Sequence, residues 1–223
     1  MKVVITSATE KEILQVKQSL NPLPTPGSKK LTIQFHTSGV GILVSCFSIA
    51  KMIAEERPDL IIQAGIAGTF NAQTVLGKVV AVREELIGDA GVEEQGNFKD
   101  LGDLQLQHPD IFPFTSGRLV NKNITHWNVL KLDEVRAITV NEISTRSARI
   151  QQYKEKYNPE TESMEGGSLH YCCIQTATPF IQIRAVSNYV GDRDKSNWNF
   201  KDSLNNLTVT VVSYIEELQK FYN

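Results

Sequence analysis

The first carboxylate in a position to do chemistry is Glu12, which closely follows an apolar segment. Residues 2–6, KVVIT, read as a buried strand, and the following SATEKE leads into a helix. Thr9 stands three residues before Glu12, which is the spacing of a helix capping box. Two interpretations follow: Glu12 closes the first helical turn, or it faces a pocket at a strand-to-helix turn and acts as a general acid or base.

A second carboxylate, Glu165, lies directly before Gly166 and Gly167, near the predicted start of another helix. A favourable interaction with the helix dipole explains a carboxylate at this place. Two glycines in a first helical turn, however, cost about 1 kcal/mol each relative to alanine. We therefore expect something to approach this backbone too closely for side chains. A carboxylate here can accept paired hydrogen bonds from a vicinal diol such as ribose.

The mostly polar segment SNYVGDRDKSNW, residues 187–198, ends a predicted core strand. It is a surface turn, a metal loop or one wall of a substrate pocket. Asp192, Asp194 and Ser196 occupy positions one, three and five of an EF-hand-like loop, but asparagine and serine replace the glycine and glutamate of positions six and twelve. The four histidines form no HxxxH pair. No metal and no organic cofactor is therefore predicted, and the turn and the pocket wall both remain open.

Four glycines, Gly39, Gly41, Gly65 and Gly68, are expected in turns where strands end. Glycine permits positive φ and a close approach of the backbone to a ligand. Neither GVG nor AGIAG completes a GxGxxG fingerprint, and no P-loop lysine follows. A cradle for nucleotide phosphates is therefore not predicted.

Length and composition indicate a globular protein. The 223 residues are 41% hydrophobic, which is enough for a large core, and the net charge is −2. There is no run of five like charges and no stretch approaching 18 apolar residues. Polar residues appear too early for a signal peptide, and three cysteines fit neither a disulfide framework nor metal spacing. We expect a cytoplasmic protein with no nucleic-acid or membrane partner.

Strands and helices alternate along the chain. Strands are predicted at 2–6, 31–37, 59–65, 77–88 and 179–187. Helices are predicted at 10–20, 39–57, 147–157 and 163–177, and over a C-terminal stripe of Leu204, Leu207, Val211, Tyr214, Ile215 and Leu218. Residues 21–28 read as a Pro/Gly turn, and residues 88–130 show few periodic runs. This alternation predicts an α/β layered domain with a largely parallel sheet, whose ligand site lies at the carboxyl ends of the strands.

Six motifs in order resemble the nucleoside phosphorylase/nucleosidase superfamily. They are KVVITSATEKE, TSGVG, PDLIIQAGIAG, LGKVVAVRE, ESMEGG and IRAVSNYVGDRD. The match runs nearly end to end and is most similar to the hydrolase branch, which includes methylthioadenosine/S-adenosylhomocysteine nucleosidases and futalosine hydrolases. The resemblance implies one domain over residues 1–223, with a three-layer phosphorylase/hydrolase-like fold and a twisted, mostly parallel mixed sheet flanked by helices.

The resemblance also implies a reaction and its residues. In this superfamily the N-glycosidic bond of a purine nucleoside breaks through an oxocarbenium-like transition state. Glu12 matches the carboxylate that activates or orients water at the anomeric carbon, and Arg184 matches an arginine near that water. Met164 and Glu165 match the pair that grips ribose, with Glu165 on the 2′- and 3′-hydroxyls. Asn188 matches the residue that binds the leaving base.

Further substrate contacts are implied where the third strand ends. By resemblance they fall on Gly65, Ile66, Ala67, Gly68 and Phe70. Phe70 and Tyr189 are the two candidates to stack on the base. Adenine-type members usually carry serine where this chain has Ile66.

Phosphorylases of the superfamily hold phosphate with two arginines. This chain has Glu10, Lys11 and Glu12 in the first loop and Gln63 at the second arginine position, while Ile66 replaces a serine or threonine. A phosphate dianion would meet carboxylates and an aliphatic side chain instead of cationic forks. The sequence therefore favours hydrolysis over phosphorolysis.

The identity of the base rests on Asn188. Adenine-type nucleosidases have aspartate here, whereas a 6-oxopurine offers two acceptors, N7 and O6, which suit an amide with two N–H donors. Hypoxanthine therefore fits better than adenine. Residues 187–198 also resemble the corresponding segment of futalosine hydrolases, which release hypoxanthine and dehypoxanthine futalosine in menaquinone biosynthesis. The alternatives are a methylthioadenosine/S-adenosylhomocysteine-type nucleosidase and a non-catalytic purine-nucleoside-binding protein.

Two expectations concern the surroundings of the site. An aromatic carboxylate beyond the 5′ carbon of the substrate needs apolar area and a cation, which Trp198, Arg193 or Lys195 can supply; an exposed turn explains the same residues. Members of this branch are commonly homo-oligomers, so we expect a dimer or higher oligomer, with residues 88–130 as one possible interface.

Overall fold

A computed structural model describes residues 1–20 and 31–222, and the turn predicted at 21–28 lies outside the described residues. The strands are β1 Lys2–Ser7, β2 Thr32–Thr37, β3 Leu60–Thr69, β4 Val79–Ile87, β5 Gly91–Glu94, β6 Asn97–Asp100, β7 Leu119–Val120, β8 Glu134–Thr139, β9 Thr161–Ser163 and β10 Phe180–Tyr189. The helices are α1 Glu10–Ser19, α2 Ile42–Glu56, α3 Ile124–Trp127, α4 Ser147–Tyr157, α5 Gly166–Gln175 and α6 Phe200–Tyr222.

The main sheet is mixed and mostly parallel, which confirms the predicted fold class. Its order is β10-β4-β8-β9-β3-β1-β2, with β7 paired to β4. Strand β10 also pairs in parallel with β3, so β3, β10, β4, β8 and β9 close into a ring. Strands β5 and β6 form a separate hairpin. The parallel pairs β1–β3 and β3–β10 bring their carboxyl ends to one edge.

Helices cover both faces of the sheet around β1 and β3. Alternating side chains of β1 separate the two cores: Val3 and Ile5 pack with α1 and α6, and Val4 packs with α2 and α5. Five apolar residues of the predicted C-terminal stripe are buried in the first of these cores: Leu207, Val211, Tyr214, Ile215 and Leu218. The result is helix, sheet and helix in three layers. None of the described helices is both long and apolar enough to cross a membrane.

Two predicted elements differ from the structure, and six further elements were not predicted. Strand β3 continues to Thr69, so Gly65 and Gly68 lie inside a strand and not in a turn after it. The helix predicted at 163–177 begins at Gly166, because residues 161–163 pair with β3 and β8. Strands β5 to β9 and helix α3 had no clear periodic signal, since most of them are four residues or shorter. By contrast, Gly39 and Gly41 lie in a turn with positive φ, as predicted.

Candidate active site

The candidate site lies where β1, β3 and β10 end. Glu12 follows β1 on the first helix, and Arg184 and Asn188 lie on β10. Glu165 is the N-cap of α5. Strand pairing places Arg184 beside Gly65 and Asn188 beside Gly68. The tertiary structure thus assembles four predicted site residues that are up to 176 positions apart in the chain.

Glu12 performs the capping role and also faces the neighbouring strand. Its Oε2 accepts hydrogen bonds from the backbone N–H and the hydroxyl of Thr9, each at 3.0 Å, which confirms the capping box. Its Oε1 accepts from the backbone N–H of Ile66 at 3.3 Å. A carboxylate oxygen can accept more than one hydrogen bond. Oε1 can therefore accept a further hydrogen bond, from a water molecule near Ile66.

Arg184 is a buried cation next to Glu12. The side chain is 1% exposed, and its Nη2 donates to Gln63 Oε1 at 2.8 Å while Nη1 donates to the Ile66 carbonyl at 3.4 Å. Among the described residues it forms no ion pair within 4.0 Å, and its Nε–H has no acceptor. A buried charge with this little compensation is costly. The site therefore holds a cation whose hydrogen-bonding capacity is only partly used by the protein.

Gly65 makes room for this pair. A Cβ atom on Gly65 would overlap Arg184 Nη1 and would lie 3.0 Å from Glu12 Oε1. The guanidinium and the carboxylate therefore both lie over the Cα atom of Gly65. The φ of Gly65 is not positive, so the backbone conformation does not require glycine. Glycine is required because the Arg184 and Glu12 side chains occupy the space of a Cβ atom.

Glu165 is held at the start of α5. Its Oε1 accepts from the backbone N–H of Gly41 at 3.1 Å, and the residue is 5% exposed. Burial raises the pKa of Glu165 above its ordinary value; the Arg184 charge and the Gly41 N–H oppose this, and the nearby Glu12 adds to it. Gly41 is the N-cap of α2 and has φ +86°. Its hydrogen bond to Glu165 therefore joins the turn after β2 to the start of α5.

The two glycines after Glu165 are explained by protein contacts. A Cβ on Gly166 would overlap Glu85 Oε1, and one on Gly167 would lie 2.6 Å from Ile87 Cδ1. The close neighbours of this backbone thus include two side chains of β4, of which Glu85 is fully buried and Ile87 is half-buried.

Asn188 is the penultimate residue of β10, and its amide orientation follows from the Tyr189 carbonyl, which can only accept. The Ser187 hydroxyl donates to Asn188 Oδ1 at 2.8 Å, and Asn188 Nδ2 donates to the Tyr189 carbonyl at 3.1 Å. A register shift at Ser187 brings Asn188 beside Gly68, where a Cβ would lie 3.2 Å from Nδ2. One amide N–H is left for a ligand, so only one of the two donors expected to face a 6-oxopurine is free in this structure.

The other predicted contact residues divide into two groups. Ile66 and Met164 are half-buried, and Ala67 is 5% exposed. The backbone N–H of Ile66 contacts Glu12, and Met164 precedes Glu165 in the chain. Phe70 is 7% exposed and packs in a core cluster with Leu86, Ile138, Val140, Tyr153 and Tyr157. The structure therefore directs the Phe70 ring largely into the core.

The turn after β10 is held by its own hydrogen bonds. Asp192 accepts from the Asp194 N–H and the Asn197 amide, and Asp194 accepts from the N–H and hydroxyl of Ser196. The Arg193 guanidinium lies 5.3 Å from the centre of the Trp198 ring. Lys195 is exposed. Within residues 1–20 and 31–222 no three His, Cys, Asp or Glu side chains are grouped so that they could hold a metal ion.

Sequence reasoning missed the partners that support the site. Gly41 belonged to a recognised motif, but its contact with Glu165 spans 124 positions. In a regular strand, Arg83 and Glu85 would point to the same face of the sheet, since they are two residues apart. In the structure Arg83 is exposed and Glu85 is fully buried. A bulge between Val82 and Glu84 in the pairing with β8 reverses the parity.

Comparisons with known proteins identify the family of this chain. A family model described as the phosphorylase superfamily matches residues 2–219. The chain belongs to the phosphorylase superfamily. A futalosine hydrolase of Thermus thermophilus is 24% identical over 86% of this chain and 84% of its own length. A 5′-methylthioadenosine/S-adenosylhomocysteine nucleosidase of Geobacillus sp. is 24% identical over 99% of this chain and 100% of its own.

A solved structure shows the same fold. The crystal structure of a Helicobacter pylori 5′-methylthioadenosine/S-adenosyl homocysteine nucleosidase, in complex with a pyrrolopyrimidine-methyl pyrrolidinol, has a TM-score of 0.78 at 14% identity. The alignment covers 97% of this chain and 98% of that one. Within the superfamily, the two named activities are matched at equal identity.

Proposed function

We propose that this protein is a purine nucleosidase that hydrolyses the N-glycosidic bond of futalosine, releasing hypoxanthine and dehypoxanthine futalosine in menaquinone biosynthesis. The observation that carries the proposal is the neutral amide of Asn188, which keeps one N–H free for a ligand and lies on the strand that also carries Arg184. The futalosine hydrolase among the relatives supports the same substrate.

The proposed chemistry follows from the positions of the two carboxylates. Glu12 Oε1 receives a water molecule and orients it toward the anomeric carbon, with Arg184 as the adjacent cation. Glu165 accepts hydrogen bonds from the 2′- and 3′-hydroxyls of ribose. These bonds strengthen as positive charge develops on the sugar, so they stabilise the transition state more than the bound substrate. Glu12 adds negative charge on the side of the attacking water.

Hydrolysis is favoured over phosphorolysis by Gln63. Its Oε1 accepts from Arg184 at 2.8 Å, and its Nε2 donates to the Glu165 carbonyl at 3.4 Å. The position that resembles an arginine site of phosphorylases is therefore neutral and already occupied with internal bonds. An incoming phosphate dianion would lack the paired cationic donors that such a ligand requires.

Incubation with futalosine in phosphate-free buffer tests the proposal. Liquid chromatography should show release of hypoxanthine at a rate that added phosphate does not change. A protein that leaves futalosine intact contradicts the proposal. Release of ribose 1-phosphate derivatives only with phosphate would show a phosphorylase instead.

A methylthioadenosine/S-adenosylhomocysteine-type nucleosidase is the second candidate, because that relative is matched over its whole length. Asn188→Asp separates the two candidates. An ionised carboxylate repels the O6 of a 6-oxopurine, so we expect kcat/KM for futalosine to fall by about 10-fold to 100-fold, the range of one lost hydrogen bond to a reacting group. The ratio of the kcat/KM values should move toward methylthioadenosine. The exposed Asn205→Asp on α6 is the control. Faster hypoxanthine release by Asn188→Asp would contradict the assignment.

Gly65→Ala tests the joint position of Glu12 and Arg184. The added methyl group must displace the guanidinium, and a displacement of about 1 Å near a reacting centre can cost about 100-fold, so we expect kcat/KM to fall by about 10-fold to 100-fold. Gly102→Ala is the matched comparison, since Gly102 is not among the site residues, its φ is not positive, and its Cβ would meet only Asp100 Oδ1, at 3.2 Å. Equal rates for wild type and Gly65→Ala would show that this placement of Arg184 is unimportant.

A homodimer in the cytoplasm completes the proposal. Helix α2 exposes Leu43 by 82%, Phe47 by 72% and Val44 by 55%, a continuous apolar surface that indicates a protein contact. The helix begins next to Gly41, so a second copy bound here would lie beside the Glu165 end of the site. All three cysteines are free, as a reducing compartment favours.

Phe47→Glu should shift the protein to a monomer in light scattering coupled to gel filtration, because a buried unpaired charge opposes association. The control is Val209→Glu, an equally apolar position on α6 that is 66% exposed. An unchanged mass for Phe47→Glu would place the interface elsewhere, with the exposed Leu106, Ile111 and Phe112 of the 88–130 segment as the next candidates.

A further inference from the structure

A buried carboxyl group lies behind the candidate site. Glu85 on β4 is fully buried, and its Oε1 lies 2.9 Å from Gln182 Nε2. Its Oε2 accepts from the Thr139 hydroxyl at 2.9 Å. The Thr139 oxygen in turn accepts from the backbone N–H of Gly167 at 2.7 Å. Glu85 therefore joins β4, β8 and β10 to the first turn of α5, which Glu165 caps.

Two buried atoms next to this cluster have no hydrogen-bond partner among the described residues. They are His170 Nε2 and Gln182 Oε1, and the Gln182 side chain lies close enough to affect the pKa of His170. His170 Nδ1 lies 2.9 Å from the Leu119 carbonyl oxygen, so Nδ1 must carry a hydrogen. A neutral imidazole then has an acceptor at Nε2, and the Gln182 oxygen nearby is also an acceptor.

Two arrangements of hydrogens remove this conflict, and both hold one ionisable proton. In the first, His170 is an imidazolium that donates to Gln182 Oε1, and Glu85 is a carboxylate. In the second, the Gln182 amide is turned by 180°, which exchanges oxygen and nitrogen positions that have nearly the same shape. Gln182 then donates to His170 Nε2, and the Gln182 oxygen accepts a proton donated by a neutral Glu85.

Burial favours the second arrangement. It contains no charge on Glu85 or His170, whereas the first places two separated charges in the interior. Burial raises the pKa of Glu85 to about 7, against the opposing hydrogen bonds of Gln182 and Thr139 and the charge of Arg184, and with a small addition from Glu165. Burial lowers the pKa of His170 to about 4, and Arg184 acts in the same direction.

We propose that Glu85 is a positioning residue that works as a neutral carboxylic acid. It donates to Gln182, accepts from Thr139, and through Thr139 and the contact with Gly166 it holds the first turn of α5 and thereby Glu165. Because it is neutral, it leaves the charge of Arg184 to the substrate site. The effect on catalysis rests on the proposed function, in which Glu165 binds ribose; the hydrogen arrangement does not.

Glu85→Gln tests the neutral form, because an amide donates and accepts as the protonated acid does. We expect the variant to keep kcat/KM within about twofold of wild type at pH 6, because its hydrogen bonds to Gln182 and Thr139 are retained. Wild type should lose activity between pH 6.5 and 8, as Glu85 ionises, and Glu85→Gln should lose less over that range. Glu85→Ala leaves Thr139 and Gln182 without partners and should fall about tenfold or more, chiefly through a higher KM.

A folded Glu85→Gln protein with a loss above tenfold at every pH would overturn the proposal, because Glu85 would then act as a carboxylate. A second measurement needs no substrate. Nitrogen-15 spectra, with His170 assigned by its loss in His170→Asn, should show a neutral ring protonated at Nδ1 from pH 6 to 8. A charged His170 at pH 6 would overturn the arrangement. If no nucleoside is cleaved, the proposed function fails, and these spectra alone decide the hydrogen arrangement.

Discussion

Glu12→Gln is expected to lower kcat by about 100-fold or more, the usual scale for removal of a general acid or base. The amide cannot take a proton from water, and it removes a negative charge beside the developing cation. The fold should be unaffected, because glutamine is the alternative residue at this position of a capping box. Both hydrogen bonds from Thr9 can be kept by the amide oxygen. The measurement is steady-state hypoxanthine release, with circular dichroism to verify that the helix content is unchanged.

Glu10→Gln is the matched control in the same helical turn. Glu10 is exposed and pairs with Lys17 at 2.7 Å, so its loss should change kcat by less than twofold, in line with the small energies of surface ion pairs. A loss below fivefold for Glu12→Gln would return Glu12 to its capping role alone.

The stability of Glu85→Gln and of His170→Asn should depend on pH with opposite signs relative to wild type. Glu85 has a raised folded pKa of about 7 against 4.5, so its stabilising contribution is present below pH 4.5 and is lost as pH rises to 7. His170 has a lowered folded pKa of about 4 against 6.5, so its contribution is present above pH 6.5 and is lost as pH falls to 4. In wild type the two cancel between these limits.

In each variant the pH dependence that the remaining group gives to stability is no longer cancelled. From pH 4.5 to 7, Glu85→Gln should gain about 3 kcal/mol of unfolding free energy relative to wild type, since one pKa unit corresponds to about 1.4 kcal/mol. From pH 6.5 down to 4, His170→Asn should gain a similar amount relative to wild type, superimposed on a constant loss of packing against Phe180. Urea unfolding at pH 4, 4.5, 6.5 and 7 measures both differences.

Glu55→Gln on the exposed face of α2 controls for surface charge and should follow the wild-type profile within about 0.5 kcal/mol. Parallel profiles for wild type and Glu85→Gln would mean that Glu85 has the same protonation in the folded and unfolded chains. That result would remove the physical basis of the neutral network.

Several features could be predicted from the sequence because they depend on local spacing. The capping box needs only Thr9 and Glu12, three positions apart, and the structure has it. The stripe of Leu207, Val211 and Leu218 needs only helical periodicity, and it forms the buried face of α6. Alternation of strands and helices indicated the α/β class, and the order of six short motifs indicated the superfamily.

Other features depend on how distant strands pair, and only the tertiary structure decided them. Gly65 and Gly68 were expected in turns, but they lie in β3, where pairing with β10 sets them beside Arg184 and Asn188. The bulge before Glu85 reversed the burial expected from alternation. The physical reason is that a capping bond or a helical stripe is determined by neighbours in the chain, whereas pairing register and bulges depend on the packing of all layers together. The residue types at the site were therefore visible in the sequence, and their mutual geometry was not.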